Sequence, residues 1–362
     1  MFPIENIYIE NNSTKSIVTK NIISASKNSK ITYIDSSKEI LYEIFKSHDP
    51  ISKGKRTLLI TENKGSFLKK CPGTKKMICC NYYFLNFATN CPLDCSYCII
   101  QEYLGNNPIL KIFSNTEDML SEAELIIGAN RNKHFRIGTG ELTDSLALDN
   151  ITGFSKIIVP FFARKENVIL ELKTKTDCIE NLMDLDHGGK TVIAWSLNPQ
   201  KIINCEELYS ASLERRIESA ACCQGKGYKI AFHFDPIILY DGWETDYNEI
   251  VKKIFNAIDS KSILWISLGG LRFSPQLKPI ISERFAQKNI LYGELILSSD
   301  NKMRYFKPLR VDAFKKMVSY IKNYNVDIPI YLCMEDQDIW EKVFGATPDR
   351  IKNLNNIFEI NS

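Results

Sequence analysis

Three cysteines within one short loop, Asn90-Cys-Pro-Leu-Asp-Cys-Ser-Tyr-Cys-Ile99, constrain this chain more than any other feature. Cys91, Cys95 and Cys98 follow the spacing C-x3-C-x2-C, and Tyr97 directly precedes the last of them. Any fold the chain adopts has to present that loop rigidly and shield it. Three thiolates on one tight loop can hold three irons of a [4Fe–4S] cube and leave the fourth iron without a protein ligand. A substrate-binding cluster needs that open iron, whereas clusters that only carry electrons usually have four cysteines. Zinc would want a fourth Cys or His at a short, regular spacing, and the nearby chain offers none; His48, His134, His187 and His233 are scattered. The plainer alternative is three buried thiols that lie close together without a metal, an uncommon grouping in reduced chains.

The flanking sequence agrees with a metal-holding loop. Residues 82–89, YYFLNFAT, are aromatic and apolar over a length suited to a buried strand, and they run straight into the cysteines. At 362 residues, 44% hydrophobic and 25% charged, the chain can bury a full core. No apolar run approaches the ~18–20 residues that cross a bilayer, so no membrane partner is expected. The opening Met1-Phe-Pro-Ile-Glu-Asn6 lacks the basic and apolar regions of a signal peptide. Eleven cysteines without an export signal point to a reducing, cytoplasmic setting and argue against a disulfide framework. A net charge of +3 does not by itself argue for nucleic acid. The basic run Lys53, Lys55, Arg56, Lys64, Lys69, Lys70, Lys75 and Lys76 is read as solvated surface, with a DNA-facing stripe as the alternative. The oligomeric state is left open.

From the cysteines onward, short apolar strands (134–138, 167–173, 191–198, 228–235 and 262–268) alternate with amphipathic helices (116–129, 145–163, 177–185, 212–226 and 244–260). With the strand at 82–89 this makes six βα units, which predicts a parallel sheet with right-handed crossovers. Six units are too few for a closed eight-fold barrel. The expected fold is therefore α/β, a partial (β/α)6 TIM-like barrel over residues 81–290. Residues 1–80 read as an N-terminal extension with a polar loop at 48–56, and 291–362 as a C-terminal extension packing on the barrel. In such folds chemistry gathers at the C-terminal ends of the strands. Reading those ends in order gives the three cysteines, then Gly138-Thr-Gly-Glu-Leu142, Lys173 and Lys175, Ser196 and Asn198, His233 and Asp235, and Gly269-Gly-Leu-Arg272. Gly140 allows close approach of backbone to a ligand, and Glu141 offers a carboxylate beside it.

The cysteine loop resembles the radical S-adenosylmethionine (SAM) signature. That resemblance implies a [4Fe–4S] cluster whose open iron chelates SAM's amino and carboxylate groups and delivers the electron that generates a 5′-deoxyadenosyl radical. Gly140 and Glu141 are similar to the segment that holds SAM's ammonium in such enzymes. Lys175, with Lys173 in reserve, is then expected to face SAM's carboxylate, and Ser196 and Asn198 its ribose. A non-enzymatic iron–sulfur protein for sensing or electron transfer is the reading from a different class.

From about Tyr82 to Tyr305 the chain resembles the spore photoproduct lyase family. The resemblance rests on Cys95-Ser-Tyr-Cys-Ile-Ile-Gln101, Leu142-Thr-Asp144 with Leu148-Asp149, Lys175, Trp195-Ser-Leu-Asn198, Arg216-Ile-Glu-Ser-Ala220, Asp235-Pro-Ile-Ile238, Asp241-Gly-Trp-Glu-Thr-Asp-Tyr247, Arg272-Phe-Ser-Pro275 and Arg304-Tyr305. It implies repair of 5-thyminyl-5,6-dihydrothymine in DNA, with SAM used catalytically and a cysteine after the second strand returning a hydrogen atom. It also implies an electron donor such as flavodoxin or ferredoxin, and DNA as partner. Two positions depart from the family. Glu141 stands where the donor cysteine is expected, and Ile99 replaces a tyrosine that follows the third cluster cysteine. Tyr97 and Glu141 are accordingly the candidate catalytic residues, and a radical SAM enzyme acting on a peptide or nucleotide is the alternative substrate class.

Overall fold

The computed structural model describes residues 4–26, 29–74, 76–286, 290–351 and 354. Packing divides the chain into two compact units: residues 1–69, 83–191 and 207–210 in the first, residues 70–82, 192–206 and 211–362 in the second.

The first unit opens with β1 (Asn6–Glu10), α1 (Ile17–Ala25), β2 (Lys30–Ile34), α2 (Lys38–Phe45), α3 (Pro50–Lys55) and β3 (Thr57–Thr61). The βα alternation thus starts at residue 6, well before the cysteines. β1 pairs in parallel with both β2 and β3, in registers Ile7↔Ile31 and Tyr8↔Leu59. Ile7, Ile9, Leu58 and Ile60, in register on one face of the sheet, are fully buried, whereas the alternate positions of β1 are half-buried. The polar stretch 48–56, expected as a loop, contains α3 instead. The Asp49 carboxylate accepts from Ser52 N at 2.9 Å, and Pro50 opens the first turn with a preset φ. The Asp-Pro pair outweighs the polar composition.

Next come β4 (Tyr83–Leu85), β5 (Ala88–Thr89), β6 (Leu110–Phe113), α4 (Thr116–Ala129), β7 (Phe135–Gly138), α5 (Phe154–Ala163) and β8 (Val168–Thr174). Residues 82–89, expected as one strand, are two. β4 lies parallel to β7, while β5 crosses to pair antiparallel with β6, which itself pairs in parallel with β3. Asn86 N donates to Phe67 O at 2.8 Å where the chain changes sheets. β7 and β8 pair in parallel, Ile137 opposite Leu170. The helix expected over 145–163 is interrupted at Gly153, whose φ of 63° is left-handed; a Cβ there would stand 2.9 Å from Asn21 Nδ2. The helix expected over 177–185 is reduced to the 3-10 turn Glu180–Leu182.

In the second unit, β9 (Thr191–Ser196), α6 (Leu213–Gly225), β10 (Lys229–Ile237), α7 (Trp243–Ala257), β11 (Ile263–Gly270), α8 (Lys307–Lys322), β12 (Ile330–Leu332) and α9 (Gln337–Phe344) follow in order. Parallel pairs run β9–β10, β10–β11 and β11–β12, with Trp195 opposite Phe232 and Phe232 opposite Ile266. Trp195 and Trp265 are buried in this sheet. Helix–strand alternation with parallel pairing in both units is the α/β class expected. Among the described residues no helix is long and apolar enough to cross a membrane.

Candidate functional site

The cysteine loop starts where β5 ends. Asn90 adopts a left-handed φ of 68°, which an Asn side chain tolerates by bonding locally. Its Oδ1 accepts from Cys91 N at 2.8 Å and its Nδ2 donates to Pro108 O at 2.5 Å. Cys91 and Cys95 are buried together with Leu93 and Ile100, and Tyr97 and the half-buried Cys98 pack against them. Two side chains hold the loop's carbonyls. Gln101 Nε2 donates to Ser96 O at 2.8 Å and Cys95 O at 3.2 Å. Lys55 Nζ, at the end of α3, donates to Cys91 O at 2.8 Å and Leu93 O at 2.7 Å. Lys55 is 2% exposed, so this member of the basic run is not a solvated lysine. Within the same run, Lys75 lies outside the described residues.

Burial pushes the Cys91 thiol up to about 12, with the nearby Lys55 charge pulling against it. Burial likewise raises Cys95 well above an ordinary thiol, and Glu207 adds to the effect. Cys91 feels the charge of Cys98, and Cys95 feels those of Cys98 and Cys91, which links the three thiols electrostatically. Iron binding has to displace their protons, as metal binding to thiols generally does. Among the described residues no three His, Cys, Asp or Glu side chains gather round a single ion. Cys91 and Cys95 share one buried cluster with Cys98 packed against it, and a cube in which each thiolate meets its own iron does not ask the three to share one ion.

A two-residue strand, Glu207–Leu208, pairs antiparallel with Asp94–Cys95 and sets Glu207 opposite Cys95. The Glu207 side chain is fully buried, and its Oε1 accepts from Lys175 Nζ at 3.0 Å and from the Tyr97 hydroxyl in a short hydrogen bond. Lys175 Nζ also stands 5.8 Å from the centroid of the Tyr97 ring. Lys175, expected to face a ligand carboxylate, thus spends its ammonium on a protein one. The end of β8 is fixed by Asp144: Oδ1 accepts from Thr174 Oγ1 at 2.7 Å and from the Leu146 and Ala147 amides, and Oδ2 accepts from Lys175 N at 2.8 Å. Ser145 Oγ accepts from Lys173 N at 3.0 Å, so the Gly140 turn lies against β8. A Cβ on Gly140 would stand 3.2 Å from both Lys173 Cβ and Ser145 Oγ. Glu141 and Lys173 are half-buried there.

Ser196 and Asn198 belong to the second unit, at the end of β9. Both are buried. Asn198 Oδ1 accepts from the Tyr247 hydroxyl at 2.7 Å, which in turn accepts from Ile238 N at 2.9 Å. The buried Arg216 donates through Nη1 to Ser196 O at 2.8 Å. Arg272 grips Asp235 through two bonds of 2.8 and 3.0 Å at the ends of β10 and β11. This unit also holds a thiol group, in which hydrogen bonds from Cys71 and Cys80 bring the Cys79 thiol down to about 2.

The sequence singled out the cysteines, Tyr97 and Lys175; the structure adds Glu207, bonded to Tyr97 and Lys175, and Lys55, bonded to the cysteine loop, neither of which the sequence singled out. Glu207 lies 110 residues from Tyr97 and on no motif, so no sequence signal pointed to it. Lys55 was hidden by its basic neighbours.

A family model described as spore photoproduct lyase matches residues 2–306. Spore photoproduct lyase from Geobacillus sp. (strain Y412MC61) is 28% identical over 210 residues, which cover 58% of this chain and 62% of that protein. The match thus spans under two thirds of that relative's length. A spore photoproduct lyase complexed with dinucleoside spore photoproduct superposes with a TM-score of 0.80 at 22% identity, covering 91% of this chain and 98% of the other. A spore photoproduct lyase mutant with bound AdoMet and dinucleoside spore photoproduct gives a TM-score of 0.77 at 20% identity, covering 91% of this chain and 98% of the other. The chain therefore shares the α/β fold of these solved lyases.

Proposed function

Since this chain belongs to the spore photoproduct lyase family, we propose that it is a radical SAM enzyme of the lyase type that acts on a thymine-dimer lesion of DNA. The observation that carries the reading is the buried three-cysteine loop, its carbonyls tied by Lys55 and Gln101 and its thiols electrostatically linked. Cys91, Cys95 and Cys98 are the ligands of a [4Fe–4S] cluster in this reading. With SAM bound, that cluster would supply the electron that splits SAM into methionine and a 5′-deoxyadenosyl radical, the species that abstracts hydrogen. The chain's own residues bind and orient. Gly140 lets the backbone approach SAM, Glu141 accepts from its ammonium, and Lys173 faces its carboxylate, opposite charges being matched in a partly buried site. Lys175 acts one step removed, because it holds the Glu207 carboxylate that fixes the Tyr97 phenol beside the cysteine loop. Ser196 and Asn198 are assigned to the ribose.

Residues 81–290 carry this chemistry, flanked by 1–80 and 291–362. The protein works in the cytoplasm and takes its electron from a flavodoxin or ferredoxin. Glu141 in place of a donor thiol supports a second reading, a radical SAM enzyme on another substrate, because a carboxyl O–H gives up a hydrogen atom far less readily than a thiol. Anaerobic reconstitution and incubation with SAM, dithionite and dinucleotide spore photoproduct test both. Conversion to thymidylyl-thymidine supports the lyase. SAM cleavage without lesion loss moves the assignment to the other substrate class.

A further inference from the structure

We infer that Lys55, contributed by the N-terminal layer, is a positioning residue of the cluster site: it clamps the cysteine loop and places a fixed positive charge beside the cluster. The inference rests on the cluster reading above and deepens it. Lys55 ends α3, a helix outside the cysteine motif and outside every barrel strand. Its ammonium is 2% exposed and donates to two carbonyls of the loop, Cys91 O and Leu93 O, at 2.8 and 2.7 Å. Asp94 Oδ1 is 3.8 Å away, an ion-pair contact longer than those two hydrogen bonds. A buried ammonium is costly to desolvate, so it persists only where its donors are used. Here they are spent on the backbone that carries the first cluster ligand.

The approach of α3 is itself fixed. A Cβ on Gly54 would lie 2.2 Å from Pro108 O, so only glycine lets the helix come this close. Pro108 O is also the acceptor of Asn90 Nδ2. α3 and the cysteine loop thus meet at one carbonyl, and Lys55 reaches the loop from there. Two consequences follow for the cluster. Outer-layer hydrogen bonds orient the ligating segment and raise its affinity for iron. A cation next to a cluster favours the extra negative charge of its reduced form, and net charge and hydrogen bonding are among the factors that set cluster potentials.

The test uses the full chain, reconstituted anaerobically, with iron content and the cluster's midpoint potential from a dye-mediated EPR titration as readouts. Lys55→Met removes the donors and the charge. Its apparent affinity for iron, read by competition with a chelator, should fall about tenfold, the lower end for outer-layer substitutions. Lys55→Gln keeps an N–H donor on a side chain one bond shorter and removes the charge, and its midpoint potential should move to a more negative value. Should Lys55→Met fail to fold, by circular dichroism of the iron-free protein, the potential of Lys55→Gln decides. Unchanged iron affinity in a folded Lys55→Met, or an unchanged potential in Lys55→Gln, overturns the inference. If the unsubstituted protein itself takes up no cluster, the cluster reading fails instead, which separates the two results.

Discussion

Lys175 Nζ lies 3.0 Å from Glu207 Oε1, and that same carboxylate oxygen accepts the hydroxyl of Tyr97. A residue far along the chain thereby joins the end of β8 to the cysteine loop, since Glu207 also pairs across from Cys95. The Glu207 side chain is fully buried and that of Lys175 is 15% exposed, so the pair is largely withdrawn from solvent. Glu207→Gln keeps the shape and removes the charge. Breaking one side of a buried pair leaves an uncompensated ion and costs about 3–5 kcal/mol. Urea unfolding of the iron-free variant should show that loss as a lower midpoint at unchanged slope; an unshifted midpoint would mean the pair contributes nothing.

Replacing Cys91, Cys95 or Cys98 singly by alanine should abolish the broad visible absorbance of the reconstituted protein and leave little bound iron. Replacing Cys205 or Cys222, both exposed, should leave the cluster intact. A Cys98→Ala protein with full iron content would remove Cys98 from the ligand set.

Thiol chemistry should separate by environment. Burial raises Cys223 to about 12 and Cys178 to about 11. Their thiol forms are favoured in the folded state, so the stability they lend is fully present below the unfolded value of about 8.5. That contribution is lost as pH rises from there through about 11 to 12. The iron-free protein should therefore lose thermal stability steadily above pH 8.5, and Cys223→Ala should flatten the upper part of that decline. Cys79 is the opposite case, brought down to about 2 by hydrogen bonds from Cys71 and Cys80. Iodoacetamide labelling of Cys79, followed by peptide mass spectrometry, should proceed at a rate independent of pH between 5 and 8, where an ordinary thiol gains about tenfold per pH unit. A Cys79 rate that climbs with pH would contradict the thiolate.

What the sequence made legible were features with local causes. The three cysteines and the tyrosine share one loop, and the strands 135–138, 168–174, 191–196, 229–237 and 263–270 are apolar runs with polar ends. What it hid depends on distance or on a single bond. α3 exists because Asp49 caps a polar segment, and residues 82–89 split because β5 finds a partner in β6. Glu207 and Lys55 reach the cysteine loop from other elements, and their spacing in the chain carries no sign of it.

The position of Glu141 makes a separate prediction. If the substrate is the spore lesion, Glu141→Cys installs a thiol on the Gly140 turn where the family expects a hydrogen donor. Clean repair of the dinucleotide lesion should then rise severalfold, with fewer radical side products by liquid chromatography. No rise in a variant with an intact cluster would favour a different substrate.

The central claim is that this chain uses a three-cysteine [4Fe–4S] cluster and SAM to act on the spore-type thymine dimer. Its most direct test is one anaerobic incubation of the reconstituted protein with SAM, dithionite and dinucleotide spore photoproduct, followed by mass spectrometry. The account predicts thymidylyl-thymidine formed in a cluster-dependent reaction and absent with Cys95→Ala. Lesion recovered unchanged, from protein whose four-iron cluster is intact and cleaves SAM, would contradict it.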